Sequence, residues 1–372
     1  MSIIQKLKSS KILILLVVTM ILVAIGSGTS GYPLPSRAVV VGIAIDEDDG
    51  GILASAQIVT SVSTGGDTPS NDSFVVIQGK GESMGKALSD INNNTGTYLS
   101  MGHLVAIFVG EDLIANDKIT YESIEHLVHN YKVPENALVV VTEGKASNMI
   151  RKQTVSTQLA AFAVKQMSSE VEKVARGVTT TVLKYRIANN LPINTLALPY
   201  VRIVGEFEDP SDGSSGGVIL DMQSTYMVGD SDIIIDKVDT ETYNLVVKNF
   251  SRGRMTLGDI EYEYEEKSTD IEVSIEGGLS AKITVEIQAL ADRYYAGYDK
   301  PEEEKSLEET ARMIEDRILR LYNTTASKKI DAYGLYSKFF KKYGRSRLEE
   351  YSIDKIFATC TVEVEVKMNI VG

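Results

Sequence analysis

The spacing of hydrophobic residues changes along the chain, and each change marks a new element. From Ala38 the apolar residues Val39 to Ile45 run into Asp46-Glu47-Asp48-Asp49-Gly50-Gly51, and from Ile52 to Val62 they resume in alternation. Two such runs about a polar, Gly-containing turn predict a β-hairpin. Ser63 to Ser73, with Gly65-Gly66 and Pro69, reads as a loop, and Phe74 to Gln78 as a third short strand. Met84, Ala87, Leu88 and Ile91 repeat at helical spacing, which predicts a helix over about Ser83 to Asn92 with its apolar face on the sheet. A continuous apolar strand from Leu104 to Val109, a helix from Tyr121 to Asn130 and a buried strand from Ala137 to Val141 follow. Helices over Ala146 to Lys152 and Ser156 to Arg176 come next, and strands alternating with helices argue an α/β layer.

The Gly205 to Gly217 region is polar and rich in Asp, Ser and Gly, so it reads as a flexible connector that ends the first module. Beyond it, strands are expected at Val218 to Met227, Ile233 to Ile235, Tyr243 to Val247 and Ile260 to Tyr264. Ile271, Val273 and Ile275 alternate with charges, Gly277-Gly278 turns, and Ala281, Ile283, Val285 and Ile287 alternate back as a second hairpin. Ser306-Leu307-Glu308-Glu309 matches a capping box and predicts the start of a long helix with Ile314, Ile318 and Leu321 on one face. A helix over about Ile330 to Tyr343 carries Leu335 and Phe339, and the alternation from Cys360 to Ile370 gives the cleanest period-two strand. No internal repeat is evident.

A chain of 372 residues exceeds the size at which single cores stop growing, about 250–300 residues, so two modules are expected. The expected fold class is mixed α+β and α/β, each module a β-sheet covered by helices. The segments are 1–31 as a signal peptide or membrane anchor, 32–205 as the N-terminal module, 206–217 as linker and 218–372 as the C-terminal module. The first segment carries Lys6, Lys8 and Lys11 ahead of an apolar run from Ile12 to Ile25 broken only by Thr19, the pattern of an export signal. The run is shorter than the about 20 residues of a spanning helix, and Gly26-Ser27-Gly28 offers the small residues of a cleavage site. Cleavage and retention are both open, and either places the bulk of the chain outside the cytoplasm.

Chemistry is sparse. A net charge of −13 opposes binding to nucleic acid, which needs clustered Lys and Arg. The basic run from Lys328-Lys329 through Lys338, Lys341, Lys342, Arg345 and Arg347 reads as a solvated helix face, with anionic lipid or glycan as the sharper alternative. Cys360 is the single cysteine, so no internal disulfide forms, and it reads as a buried small hydrophobe. Gly79-Lys80-Gly81 and Gly85 lie between a strand and a helix, but Met84 stands where a dinucleotide fingerprint needs its third glycine. His126 and His129 with Glu122 and Glu125 share a helix face without making a closed metal set, and His103 is remote from them. Asp46, Asp48 and Asp49 before Gly50 lack the calcium loop's final glutamate, Gln57 standing in its place. With no Trp, no Gly-x-Ser-x-Gly elbow and three histidines, no catalytic, cofactor-binding or metal-ligating residue is assigned.

Several segments carry a resemblance. Ser36-Arg37-Ala38-Val39-Val40-Val41-Gly42-Ile43-Ala44-Ile45-Asp46 is similar to the opening of Ger(x)C-family proteins, the C subunits of bacterial spore germinant receptors. Gly79 to Leu88 resembles that family's strand-to-helix step, and Tyr98 to Glu111, with Gly102-His103, resembles its Gly-His segment. Asp331-Ala332-Tyr333-Gly334-Leu335 and the final strand to Gly372 are also similar. The resemblance implies a non-enzymatic subunit without cofactor, at the outer face of the spore inner membrane beside two polytopic partners, the A and B subunits. Family members usually carry a lipobox cysteine after the apolar run, whereas Gly26-Ser27-Gly28 stands here, so the uncleaved run is the expected anchor. A stand-alone envelope protein binding a small ligand or wall glycan is the alternative, and an envelope hydrolase the third.

Overall fold

The computed structural model describes residues 18–20, 37–59, 74–155, 159–191, 196–207, 216–248, 253–257, 260–290, 300–344 and 353–371. The expected anchor run apart from Val18 to Met20, the loop Ser63 to Ser73, and Arg345 and Arg347 of the basic run lie outside them.

The opening hairpin forms from β1 (Arg37–Asp48) and β2 (Gly51–Val59). Asp48 pairs with Gly51 across a two-residue turn in which Asp49 has φ 48° and Gly50 φ 78°. Positive φ at both central positions gives the turn whose twist matches the flanking strands, and Asp-Gly adopts it readily. β3 (Phe74–Gly81) adds antiparallel to β2, and α1 (Met84–Thr95) leads to β4 (Tyr98–Ser100) and β5 (Ala106–Gly110), both parallel to β1. Then come α2 (Glu111–Ile114), α3 (Asp117–Tyr131), β6 (Leu138–Thr142), α4 (Ala146–Ile150), α5 (Ala160–Lys173) and α6 (Val182–Asn189). The sheet is completed by β7 (Ala197–Glu206), β8 (Val218–Met227) and β9 (Ile233–Ile235). Its nine strands run in the order β3-β2-β1-β5-β6-β7-β8-β9, with β4 beside β1.

Both faces of this sheet are covered. Ile43, Ile45, Ile107, Val109, Val139 and Val141 face α1, α3 and α6, whereas Ala44, Phe108 and Val140 face α4 and α5. Burial on two sides is why β1, β5 and β6 read as unbroken apolar runs rather than alternations.

The second sheet runs β10 (Gly253–Leu257), β11 (Ile260–Ser274), β12 (Ser280–Leu290), β13 (Thr361–Val371), with β12 and β13 parallel. The crossover between the last two holds α8 (Lys300–Ala326), α9 (Leu335–Tyr343) and α10 (Ile353–Thr359). Ile283, Val285, Ile314, Ile318 and Phe339 make the core between sheet and helices.

Three expectations change. β8 and β9 join the first sheet: Glu206 pairs with Val218, so the polar connector joins two antiparallel neighbours instead of two modules. The long helix starts at Lys300, upstream of the Ser306 box, with Pro301 in its first turn, where a missing N–H is harmless. Tyr243 to Val247 is helical, as part of α7 (Lys237–Val247), whose first turn is capped by Asp236 accepting from the Asp239 N–H at 2.9 Å.

α7 touches both sheets. Asn244 Nδ2 donates to the carbonyls of Ala175 (2.7 Å) and Gly177 (3.0 Å), and the Thr225 and Thr240 hydroxyls meet at 3.0 Å. On its other side the Thr269 hydroxyl donates to Leu245 O at 2.9 Å, and Lys267 Nζ donates to Lys248 O. Met227 and Ile235 of the first sheet sit in the same core cluster as Leu245, Ile283 and Ile318.

Asn244→Ala removes the donor from two buried carbonyls and is expected to lower unfolding stability by about 1–3 kcal/mol, measured by urea denaturation. Asp331 supplies a second test. Its buried carboxylate accepts the N–H groups of Leu335 (2.7 Å) and Tyr336 (3.0 Å) at the start of α9, yet burial pushes it up to about 6 from 3.8. A pKa raised on folding contributes stability that is complete below about 3.8 and lost as pH rises through about 6. Thermal midpoints of Asp331→Asn should therefore fall less than those of the parent between pH 4 and pH 6.

Candidate functional site

A cleft of about 280 Å³ opens at the carboxyl ends of β1 and β3, between the first turn of α1 and one face of α3. In open α/β sheets this edge is where ligands bind. Ser83 caps α1, its Oγ accepting from the Lys86 N–H at 3.4 Å, so the strand-to-helix glycines lead directly into a helix N-terminus at the cleft. From α3, Ile119, Glu122, Ser123 and His126 form the opposite wall, and Glu47 and Gly50 of the hairpin close one end.

The wall residues differ in how they are satisfied. Glu82 pairs with Lys86, and Glu122 reaches Lys118 at 3.9 Å. Ser123 is 2% exposed, and its Oγ has no hydrogen-bond partner among the described residues. His126 Nδ1 lies 3.0 Å from Asn130 Nδ2, an amide donor, which assigns the remaining ring proton to Nε2. Burial lowers the His126 pKa, favouring the neutral ring. Its ring occupies the space a Cβ at position 85 would need: a methyl on Gly85 would lie 2.8 Å from His126 Cε1.

The other sequence candidates are engaged elsewhere. His129 Nε2 meets Glu125 Oε2 at 2.9 Å, and Glu125 also takes the Arg186 guanidinium, so the pair His126 and His129 diverges. No group of three or more metal-ligating side chains converges among the described residues. Asp46 is buried and accepts from the N–H groups of Ala146 (2.6 Å) and Ser147 (2.8 Å), and Asp48 pairs with Lys80 and Lys145. Gln57 donates to Ile150 O at 2.9 Å inside the core. His103 is exposed in a turn before β5. Burial pushes the Cys360 thiol up to about 11, which keeps it protonated and poorly nucleophilic. Ser123 is the residue that sequence reasoning missed, because nothing in its neighbours announces an unsatisfied hydroxyl.

Two domain families match the chain in succession. Residues 33–203 match the spore germination protein N-terminal domain, and residues 229–372 match the spore germination B3/GerAC-like C-terminal domain. The chain belongs to the Ger(x)C family of spore germination proteins. A solved structure described as "Crystal Structure of the GerBC protein" is 15% identical, with 89% of this chain and 97% of that chain covered and a TM-score of 0.48. Comparison with curated proteins finds no match. In this Ger(x)C protein the N-terminal match contains the whole cleft, and the helices around Asp331 fall in the C-terminal match.

The glycines of the strand-to-helix step should respond unequally to a methyl group. A Cβ at Gly79 would lie 2.3 Å from the Ala87 carbonyl oxygen, a backbone atom of α1, whereas that at Gly85 meets only the ring end of the His126 side chain. Gly79→Ala is expected to cost more than about 2 kcal/mol in denaturant unfolding, and Gly85→Ala less than about 1 kcal/mol while displacing the His126 imidazole resonance.

Proposed function

We propose that the protein is the non-catalytic C subunit of a spore germinant receptor, held at the outer face of the spore inner membrane beside the polytopic A and B subunits. The observation that carries this reading is the succession of both family domains along one chain. Anchoring by the uncleaved apolar run is supported by Lys6, Lys8 and Lys11 ahead of Ile12 to Ile25, which hold the N-terminus in the cytoplasm. Among the described residues, no helix is long and apolar enough to cross a membrane.

The chemistry of the cleft supports binding over catalysis. Ser123 has no base within hydrogen-bond reach, His126 spends one ring nitrogen on Asn130, and the half-buried Cys360 packs against the other core.

Spores lacking the gene should lose the response to one nutrient class, read as release of the core's dipicolinate, while a non-nutrient trigger still germinates them. An unchanged response to every nutrient would instead favour a stand-alone envelope protein binding a small ligand or wall glycan.

A further inference from the structure

We infer that β13 is a self-pairing edge: two copies of this chain join antiparallel along it, about a two-fold axis at Val366, and their second sheets become one. This goes beyond the receptor reading and concerns the chain alone.

β13 ends the strand order β10-β11-β12-β13, so one of its sides meets no strand. It runs 11 residues, against a usual strand length of about 5–6, and its register with β12 is unbroken from Thr361 to Val371. Proteins blunt sheet edges with proline, a bulge or a short strand, because a long, regular edge is a template for another strand. β13 has none of these. Its charged side chains, the remaining common guard, are arranged to match a second copy.

Two hydrogen bonds tell which main-chain groups face out. The Thr361 N–H donates to Leu279 O at 2.9 Å, toward β12, whereas the Val366 N–H donates to Glu315 Oε1 of α8 at 2.9 Å, away from β12. Successive residues of a strand point their main-chain groups to alternate sides, so Val362, Val364, Val366 and Met368 offer theirs to the open edge. Antiparallel pairing about Val366 then sets Val366 against Val366 and Val364 against Met368 as hydrogen-bonded pairs, with their side chains on the helix-covered face. Glu365 and Lys367 fall opposite each other in the non-hydrogen-bonded position between, where side chains approach most closely.

That register is the one the charges select. Glu365 of each copy meets Lys367 of the other, and Glu363 meets the uncharged Asn369. Sliding one copy by two residues sets Glu365 against Glu365 in one direction and Lys367 against Lys367 in the other. A slip of one residue turns the apolar face outward. Within one chain Lys282 reaches Glu365 at 2.8 Å and Glu286 reaches Lys367 at 3.7 Å, exposed pairs that hold their partners weakly. Glu315 is the gate: it holds the N–H that lies on the axis, so both carboxylates swing aside before the central hydrogen bonds form, and association stays weak.

The test is sedimentation equilibrium of the full chain in detergent, from micromolar to near-millimolar concentration, and the expected result is a reversible dimer. Glu365→Lys and Lys367→Glu should each weaken it about tenfold, since two attractions become repulsions, and the double reversal should restore the parent affinity. Both reversals also set like charges beside Lys282 and Glu286 within one chain, so urea unfolding of the double variant should suffer about as much as that of the singles. Regained association is then not regained folding. Glu315→Ala should tighten the dimer about tenfold by freeing the axial N–H. A chain monomeric at every concentration, its edge left to solvent or to another protein's strand, would overturn the inference. So would a dimer indifferent to both single reversals, one that the double variant does not restore, or one that Glu315→Ala weakens. None of these results bears on the germination phenotype of the deleted gene, and the receptor reading stands or falls apart from them.

Discussion

The carboxylate of Asp46 holds the carboxyl edge of the first sheet together. It is 2% exposed, at the end of β1, and binds the first two N–H groups of α4, placing negative charge at a helix start where it is favoured. β5 ends beside it at Gly110, where a Cβ would lie 2.4 Å from Asp46 Oδ1, so only a residue without a side chain lets the two strand ends approach. With β1, β5 and α4 fixed at one point, Glu47 turns outward, the Asp49-Gly50 turn follows, and the hairpin closes one end of the cleft. A single buried acid thus links core geometry to the edge at which ligands meet this class of sheet.

A comparable economy joins the two sheets. α7 is buried on two sides: its Asn244 completes two carbonyls of the segment after α5, and Thr269 of β11 completes the Leu245 carbonyl of α7 itself. Two lysines end on carbonyls here: Lys248 reaches Gly177 O at 3.1 Å, and Lys267 reaches the Lys248 carbonyl at the C-terminal end of α7. Burial pushes both down to about 8 from 10.5. The cation at the helix C-terminus is placed where the dipole favours it, which offsets part of the desolvation cost. Polar groups completed on both sides of one helix fix its register more sharply than apolar contact does, because a shift by one residue would orphan several of them at once.

Much of this architecture was legible in the sequence. The Asp-Gly hairpin, the helical spacing of Met84 to Ile91 and the strict alternation of β13 each encode an element through contacts close in sequence. What failed was information held by distant partners. Tyr243 to Val247 is β-branched and aromatic enough to suggest a strand, yet it continues the helix that Asp236 caps and packs between the two sheets. Val218 to Met227 was recognised as a strand but assigned to the wrong sheet. Periodicity reports which face of an element is apolar and is silent on what covers it, and the Asp- and Gly-rich stretch before β8 has the same composition whether it joins modules or turns a hairpin.

The candidate site shows the same division more sharply. Helical spacing correctly put Glu122, Glu125, His126 and His129 on neighbouring positions of α3, but the sharing of Glu125 with Arg186, 61 residues away, turns His129 from the cleft and leaves His126 at it. Ser123 carried no signal at all. A serine in mid-helix is ordinarily solvated or bonded to a backbone carbonyl one turn back, and its residue type is the same when its hydroxyl is neither. An unsatisfied polar group is a property of the folded surroundings, defined by what fails to reach it. In a binding site such groups are the sharper marker, because the site completes its hydrogen bonds only with the ligand, whereas a core completes them by itself.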